Sequence, residues 1–447
     1  MALKGLDIFK LTPKTNCKDC DHPTCMAFAM KVAQGAVPIS KCPHMSPEAL
    51  AKLSAATEPP MKTIELGAGE CAHQLGGETV MLRHEKTLVN KNLYGIGLAA
   101  GMPDTAIDAL LAELVKVDYD RIGKRMFAEC VLVECSADVA RSVAVAQKAL
   151  ASGRALILHC PDAAVAKAVV EATQAAKPVL CGASAANWEA MSAVAKAAGI
   201  VLGVGGADLS ELHDTVAKLE AAGNRNLILD LGSASIKDAF ANAVQIRRAA
   251  LKDGDRTFGY PSFVNLAALA PGDLVAQAAL ASLFTLRYGS IVIMERIGYA
   301  EALPLFGLRQ NIYTDPQKPM KVAPGLYPIG GADENSVCCV TVDFALSYFV
   351  VSGEIERSRV PANLLVTDAG GYSVLTAWAA GKLSAASISK FIQENQVEAK
   401  IKNRTLIIPG KVAVLQGELE SKLPGWKVVV GTNEAIQLVR FLRDYQQ

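Results

Sequence analysis

The sequence carries almost no net charge: 45 lysines and arginines against 44 aspartates and glutamates leave a formal +1. That balance offers no electrostatic argument for nucleic acid or an anionic membrane as a partner. A hydrophobic run of bilayer length is also missing. The most apolar stretch, "VCCVTVDFALSYFVV", is short and contains Asp343, so it reads as a buried strand running into a helix. No apolar signal region with a cleavage site follows the Met-Ala-Leu-Lys-Gly start. Neither G-x-G-x-x-G after a strand nor G-x-x-x-x-G-K-[ST] occurs, which removes the two common nucleotide loops. "GVGGAD" (203–208) at a strand end is a poor substitute. Histidine is scarce, with six residues at 22, 44, 73, 84, 159 and 213 and none beyond. Eleven cysteines, an odd number scattered through apolar runs, argue for reduced thiols and a cytoplasmic protein.

What is present describes a globular chain, with 51% hydrophobic and 20% charged residues. At 447 residues two or three domains are expected. Composition shifts at "SAATEPPMK" (54–62) and at the proline-rich "TDPQKPMKVAPGLYPIGGAD", which divides the chain into residues 1–57, 63–314 and 332–447. The middle segment repeats a short apolar strand, a turn and an Ala-rich helix. Candidate strands are 80–84, 128–135, 155–160, 178–182, 201–205, 227–231, 258–262 and 291–295. Eight such units predict a closed (β/α)8 barrel, with the apolar run 94–99 as an unplaced extra strand. The last segment alternates strands at 337–342, 364–367, 406–408 and 428–430 with helices, which predicts a small doubly wound α/β domain. Its strands run into "TDAGGYS", "IIPGK" and "VVVGTNE", where glycines and small polar residues meet helix N-termini suited to phosphates or amides.

Within "NCKDCDHPTCMAFAMKVAQGAVPISKCPHMS" four cysteines stand at Cys17, Cys20, Cys25 and Cys42. Zinc sites usually pair their ligands as two knuckles. Three clustered cysteines and a remote fourth followed by proline fit a four-iron [4Fe-4S] cage better. Zinc and purely structural cysteines remain the alternatives. His22 and His44 read as loop residues beside the cage, and the apolar face of the helix over residues 26–34 reads as a docking face for another domain or as the module's own small core.

The cysteine module, the barrel and the stretch "SGEIERSRVPANLLVTDAGGYSVLTAWAAGK" together resemble the large subunit of the corrinoid iron–sulfur protein family of the reductive acetyl-CoA pathway. The resemblance spans essentially the whole chain. It implies a heterodimer with a small barrel subunit and a cobalt corrinoid held by the C-terminal domain. In that family cobalt(I) accepts a methyl group from a methyltetrahydrofolate methyltransferase, and methyl–cobalt(III) delivers it to acetyl-CoA synthase. The cluster reactivates cobalt(II). Many corrinoid domains ligate cobalt through the histidine of Asp-x-His-x-x-Gly, which this chain cannot do beyond His213. Withholding that donor eases reduction to cobalt(I), in agreement with base-off binding.

By resemblance the corrinoid lies over Gly370, Gly371, Tyr372, Ser373 and Thr376. Thr341 and Leu346 on the preceding strand and helix are further candidates, as are Gly431, Thr432, Asn433 and Glu434 on the last turn. His159, Asp230 and Glu295 end barrel strands, where barrel enzymes keep catalytic groups. Cys71, Cys130, Cys135, Cys160, Cys181, Cys338 and Cys339 read as buried small hydrophobes, with Cys338–Cys339 as an alternative redox pair. Two rival functions stand beside the carrier: an iron–sulfur barrel oxidoreductase, and a scaffold whose metal module is structural.

Overall fold

The computed structural model describes residues 5–33, 37, 39–50, 60–232, 235–314 and 319–446. The chain divides into two compact units, Met1–Val117 with Phe127–Tyr313, and Asp118–Met126 with Thr314–Gln447. The short antiparallel hairpin Asp118–Arg121/Lys124–Phe127 thus falls largely with the second unit. No helix among the described residues is long and apolar enough to cross a membrane.

The first unit contains a closed parallel barrel of eight strands, in chain order Leu93–Ala99, Cys130–Glu134, Ala155–His159, Val179–Ala183, Leu202–Val204, Leu227–Asp230, Ser262–Asn265 and Ile291–Met294. The recurring capping residue sets its rhythm. Asp138, Asp162, Asp208, Ser235 and Asp273 each accept a backbone N–H at the start of the helix that follows a strand. Each cap contributes about 1 kcal/mol. The interior is apolar, with Leu132, Ile157, Ile228, Phe263 and Ile293 among its fully or nearly buried residues. A hairpin of Thr63–Leu66 and His73–Gly76 adds Ile64, Leu66 and Leu75 to the same core.

One strand differs from the sequence reading. Residues 80–84 form no strand, and the apolar run set aside as an extra is the first barrel strand. Gly95 and Gly97 dilute its β signal, yet Gly95 is required by packing. A Cβ there would lie 2.6 Å from the Cys130 carbonyl and 2.8 Å from Ile293 Cδ1. The seventh strand also begins later than expected, at Ser262, after a 3-10 turn over Arg256–Phe258. The glycines of "GVGGAD" serve packing. A Cβ on Gly203 would overlap the Cys181 sulfur, and one on Gly206 would lie 2.7 Å from Leu212 N. The expectation of uniformly reduced cysteines is also corrected. Cys135 and Cys160, just past the ends of adjacent strands, are joined by a disulfide with Cα atoms 5.2 Å apart, a separation within the normal range for that bond.

The second unit holds a five-stranded sheet in the spatial order Gly325–Ile329, Ala362–Thr367, Val337–Val342, Thr405–Ile408, Lys427–Val430. The last four strands are parallel, and the first is an antiparallel edge. That edge strand arises inside the proline-rich segment and places Pro328 in the outermost strand, where a missing ladder donor is tolerated. Separate cores cover the two faces. One packs Ile388, Ile392 and Leu419 on the sheet, the other Ile355, Leu438 and Leu442. The domain is doubly wound.

At the amino-terminal end of the barrel, Arg309 donates to Glu129 at 2.9 Å and to the Asn92 carbonyl at 2.9 Å, with both charged residues buried. Arg309→Ala should therefore cost about 3–5 kcal/mol, because it strands a buried carboxylate. Combining Glu129→Gln with Arg309→Met should recover most of that loss. Guanidinium unfolding midpoints of the three proteins check the expectation.

Candidate functional site

Cys17 and Cys20 lie on a loop wound in an unusual way. Lys14, Asn16, Lys18 and Asp21 all adopt left-handed backbone, with φ between +49° and +70°. For non-glycine residues this costs about 1 kcal/mol or more each. Loops that mix left- and right-handed residues turn backbone N–H groups into a concavity that suits anionic clusters. Asn16 fixes the far side by accepting the Cys25 N–H at 2.8 Å, at the start of helix Cys25–Ala33. Cys20, Cys25 and Cys42 are buried and Cys17 is exposed. Burial pushes the Cys42 thiol up, and the charges of Cys20, Cys25 and Cys17 add to the effect, so the four sulfurs share one locality.

A single tetrahedral zinc ion would hold four sulfurs about 3.8 Å apart. Among the described residues, the one group of three ligand atoms within 4.8 Å of one another is Cys17, Asp19 and His44, so no three of the cysteine sulfurs are that close. His44 is occupied by Asp19, Nε2 to Oδ2 2.6 Å, and His22 packs its ring on Phe28.

In the second unit, a crevice opens at the topological switch point. The strand order reverses between Val337–Val342 and Thr405–Ile408, where open α/β sheets bind ligands. A cavity of about 430 Å³ lies there. It collects Thr341, Leu346, Ser373, Gly431, Thr432, Asn433 and Glu434 of the expected residues. Gly370, Gly371, Tyr372 and Thr376 are not in its lining; they form the adjoining loop and helix start, with Thr376 Oγ1 3.0 Å from Ser373 Oγ. The Thr341 hydroxyl is buried without a hydrogen-bond partner among the described residues, an exception to the usual pairing of buried polar groups. Gly410 keeps the opposite wall thin, since a Cβ would lie 2.7 Å from Asn433 Oδ1.

Sequence reasoning missed Ser347 and Val350, which follow Leu346 on one helix face, and Pro409 and Lys411 of the "IIPGK" strand end. Helical spacing carried the signal for the first two. It also missed Asp343, fully buried at the end of its strand. Its Oδ1 accepts the N–H groups of Ala369 at 2.9 Å and Gly371 at 3.0 Å, while Lys321 Nζ lies 3.4 Å from Oδ2. One carboxylate thus shapes the whole "DAGGY" loop. Gly371 must be glycine in that turn: its φ is +80°, and a Cβ would press on Pro319 at 3.0 Å. Cys338 and Cys339 are buried, and burial pushes the Cys339 thiol up to about 12, so neither presents a reactive thiolate.

The CO dehydrogenase/acetyl-CoA synthase delta subunit family matches residues 63–442, and an Fe-S cluster family matches residues 13–44. The corrinoid/iron-sulfur protein large subunit of Moorella thermoacetica is 39% identical over 99% of both chains. The acetyl-CoA decarbonylase/synthase complex subunit gamma of Methanothermobacter thermautotrophicus is 31% identical, again over 99% of each. The chain belongs to this large-subunit, or gamma, family. The delta-subunit description covers residues 63–442, whereas the two relatives align over 99% of the chain. Among solved structures, dihydropteroate synthase of Thermus thermophilus with 4-aminobenzoate aligns over 56% of this chain and 100% of that one, at 14% identity and a TM-score of 0.38.

The barrel residues singled out by position also have partners. His159 Nδ1 lies 2.5 Å from Glu134 Oε2, Asp230 Oδ1 accepts the Gly232 N–H at 2.8 Å, and Glu295 Oε1 accepts that of Gly272 at 2.7 Å. The hydrogen bond from Glu134 raises the His159 pKa against the opposing effect of burial, and the charges of Glu134 and Asp230 add to it. A raised histidine contributes stability below its unfolded value of about 6.5 and loses it as pH rises through the folded value. An NMR titration of the imidazole should show a midpoint above the ordinary range, and Glu134→Gln should bring it back down.

The Asp343 carboxylate gives a second expectation. Asp343→Ala should destabilise the protein by about 2–3 kcal/mol, because charge-assisted hydrogen bonds to two buried N–H groups are lost. Asp343→Asn keeps an acceptor at Oδ1 and should cost less, as chemical denaturation would show.

Proposed function

We propose that the chain is the cluster-bearing subunit of a corrinoid methyl carrier. The observation that carries this reading is the switch-point cavity with its unpartnered Thr341 hydroxyl, in a unit whose sequence offers no histidine. A bound cobalt corrinoid would supply the methyl-accepting and methyl-donating chemistry. The chain's own groups hold and shield it. Thr341, Ser373 and Thr432 present hydroxyls to amide side chains, Leu346 and Val350 present an apolar wall, and the loop fixed by Asp343 admits close backbone approach at Gly370 and Gly371. With no histidine in this unit, the chain's own residues there would offer the metal no imidazole, in agreement with the base-off, histidine-off binding that the family resemblance implies. Cys17, Cys20, Cys25 and Cys42 would hold a [4Fe-4S] cluster that returns the corrinoid to its reduced state.

The same reading assigns residues 1–57 to the cluster module, 63–314 to the barrel and 332–447 to the corrinoid domain. Its partners follow from what the relatives are called and from the chemistry implied: a small subunit in a heterodimer, a methyltetrahydrofolate methyltransferase and acetyl-CoA synthase. A cytoplasmic site of action goes with them.

The visible spectrum of protein purified without oxygen tests the proposal. Corrinoid and cluster bands together support it. Cluster absorption alone would favour a barrel oxidoreductase, and a colourless protein a structural metal module. Cys20→Ala should lose or downgrade the cluster absorption while keeping the corrinoid band, and the methyl-transfer half-reaction that needs no electron should persist. Loss of that half-reaction in a folded variant would refute the electron-only role of the cage.

A further inference from the structure

Polarity enters the barrel abruptly. The interior layers are apolar, but the carboxyl ends of the strands bring Glu134, His159, Asp230, Asn265 and Glu295 to one open end. Packing alone would favour apolar residues there, because polar groups at a partly buried position cost free energy unless they are satisfied. Glu134, His159 and Asn265 are tied together by hydrogen bonds, while Asp230 and Glu295 each accept a backbone N–H. Glu134 uses both oxygens, Oε2 toward His159 Nδ1 at 2.5 Å and Oε1 accepting from Asn265 Nδ2 at 3.2 Å. His159 stands on the neighbouring strand, and Asn265 reaches Glu134 from across the mouth. The disulfide between Cys135 and Cys160 ties the residues that directly follow Glu134 and His159, which holds the pair in place.

Beside this network lies a cavity of about 380 Å³, a size typical of small-molecule sites. Gly97 and Leu132 contribute to its floor and Met102, Leu110 and Leu274 to its apolar walls, while Glu134, Asn265 and Glu295 supply polar edges and the exposed Arg296 is its one cationic lining residue among the described residues. Those edges are rich in acceptors. Asn265 Oδ1 is buried with no donor among the described residues. Glu295 commits Oε1 to the Gly272 N–H and retains its second oxygen. A metal ion is a poor match, since no three ligand atoms at this mouth lie within 4.8 Å of one another among the described residues. A complementary ligand has an apolar body for the walls and N–H donors along one edge.

We propose that the barrel mouth is a second ligand site, separate from the switch-point cavity, which takes a flat ring bearing N–H donors, of the aromatic amidine or aminoheterocycle class. Glu134 and Asn265 read the donor edge. His159 is a positioning residue, holding Glu134 from its other side. The site does not depend on the corrinoid reading, because none of its residues belongs to the second unit.

Benzamidine is the test probe, titrated into the full-length protein by calorimetry with the His159 imidazole signals followed by NMR. Saturable binding at one site that shifts those signals is expected. Benzoate, with the same ring but acceptors in place of donors, should bind at least tenfold more weakly. Glu134→Gln should weaken benzamidine at least tenfold, or about 1.4 kcal/mol, with its melting temperature recorded to confirm folding. Leu274→Trp, which fills the cavity without touching the polar network, should abolish binding and leave the His159 titration unchanged. The proposal is overturned if benzamidine shows no saturable binding, if benzoate binds equally well, or if both folded variants bind like the parent.

Discussion

Parallel pairing aims the carboxyl end of every strand at the same edge, and the chemistry outside the cysteine module follows from that constraint. A strand in such a sheet must turn into a helix at that edge. Turn glycines, capping aspartates and helix N-termini therefore gather there without any selection for a ligand. In the barrel the edge closes into a ring that carries Glu134, His159, Asp230 and Asn265. In the open sheet it is a row, broken where successive helices leave on opposite faces, and the break is the crevice under Thr341 and Gly431. Asp343 shows the same constraint at the scale of one residue. It is the first residue past its strand, and its carboxylate captures the loop that leaves the neighbouring strand.

How much of this the sequence reveals depends on whether the deciding force is local. Repeated apolar runs, Asp caps and Ala-rich helices are local signals, and they suffice for a barrel followed by a doubly wound domain. The first barrel strand hides because Gly95 answers to Cys130 and Ile293, residues distant in sequence. The edge strand hides because Pro328 reads as a linker until its outward position is known. The pairing of Cys135 with Cys160 needs the register of two strands, and so does the contact of Glu134 with His159. At the candidate corrinoid site the glycine-rich loop is legible as a motif. The opposing wall of Ser347, Val350 and Lys411 is legible only once the switch point is fixed.

The cysteine module obeys a different economy. Its core is small, built on Ile8, Phe28, Ala29, Val32, Ile39, Met45 and Ala49, with Phe9, Leu11, Val37 and Leu50 partly buried against it. So short a segment buries too little surface to hold itself together firmly. It nevertheless maintains Lys14, Asn16, Lys18 and Asp21 in left-handed backbone without the help of glycine. Strain of that kind persists only where something over-determines the loop. Four thiolates on one cluster would do so, which makes the proposed electron donor the staple of its own fold. Folding of the module and its redox role would then stand or fall together.

The cavity of the second unit is defined as much by what it withholds. Its polar lining consists of hydroxyls, an amide and backbone groups, and the charged Lys411 is paired with Glu434 at 2.8 Å. The one thiol in the lining, Cys339, is held protonated by burial. A metal centre presented to this surface meets no strong neutral donor. Axial ligand identity is among the main levers a protein has on the potential of a macrocyclic metal. Weak donation leaves the lower oxidation state accessible, and that state is the one a low-potential cluster has to restore. Placing the cysteine cage and the imidazole-free cavity on one chain is then a single design. On the proposed reading the cavity would leave reduction thermodynamically easier, and the cage would supply the electron.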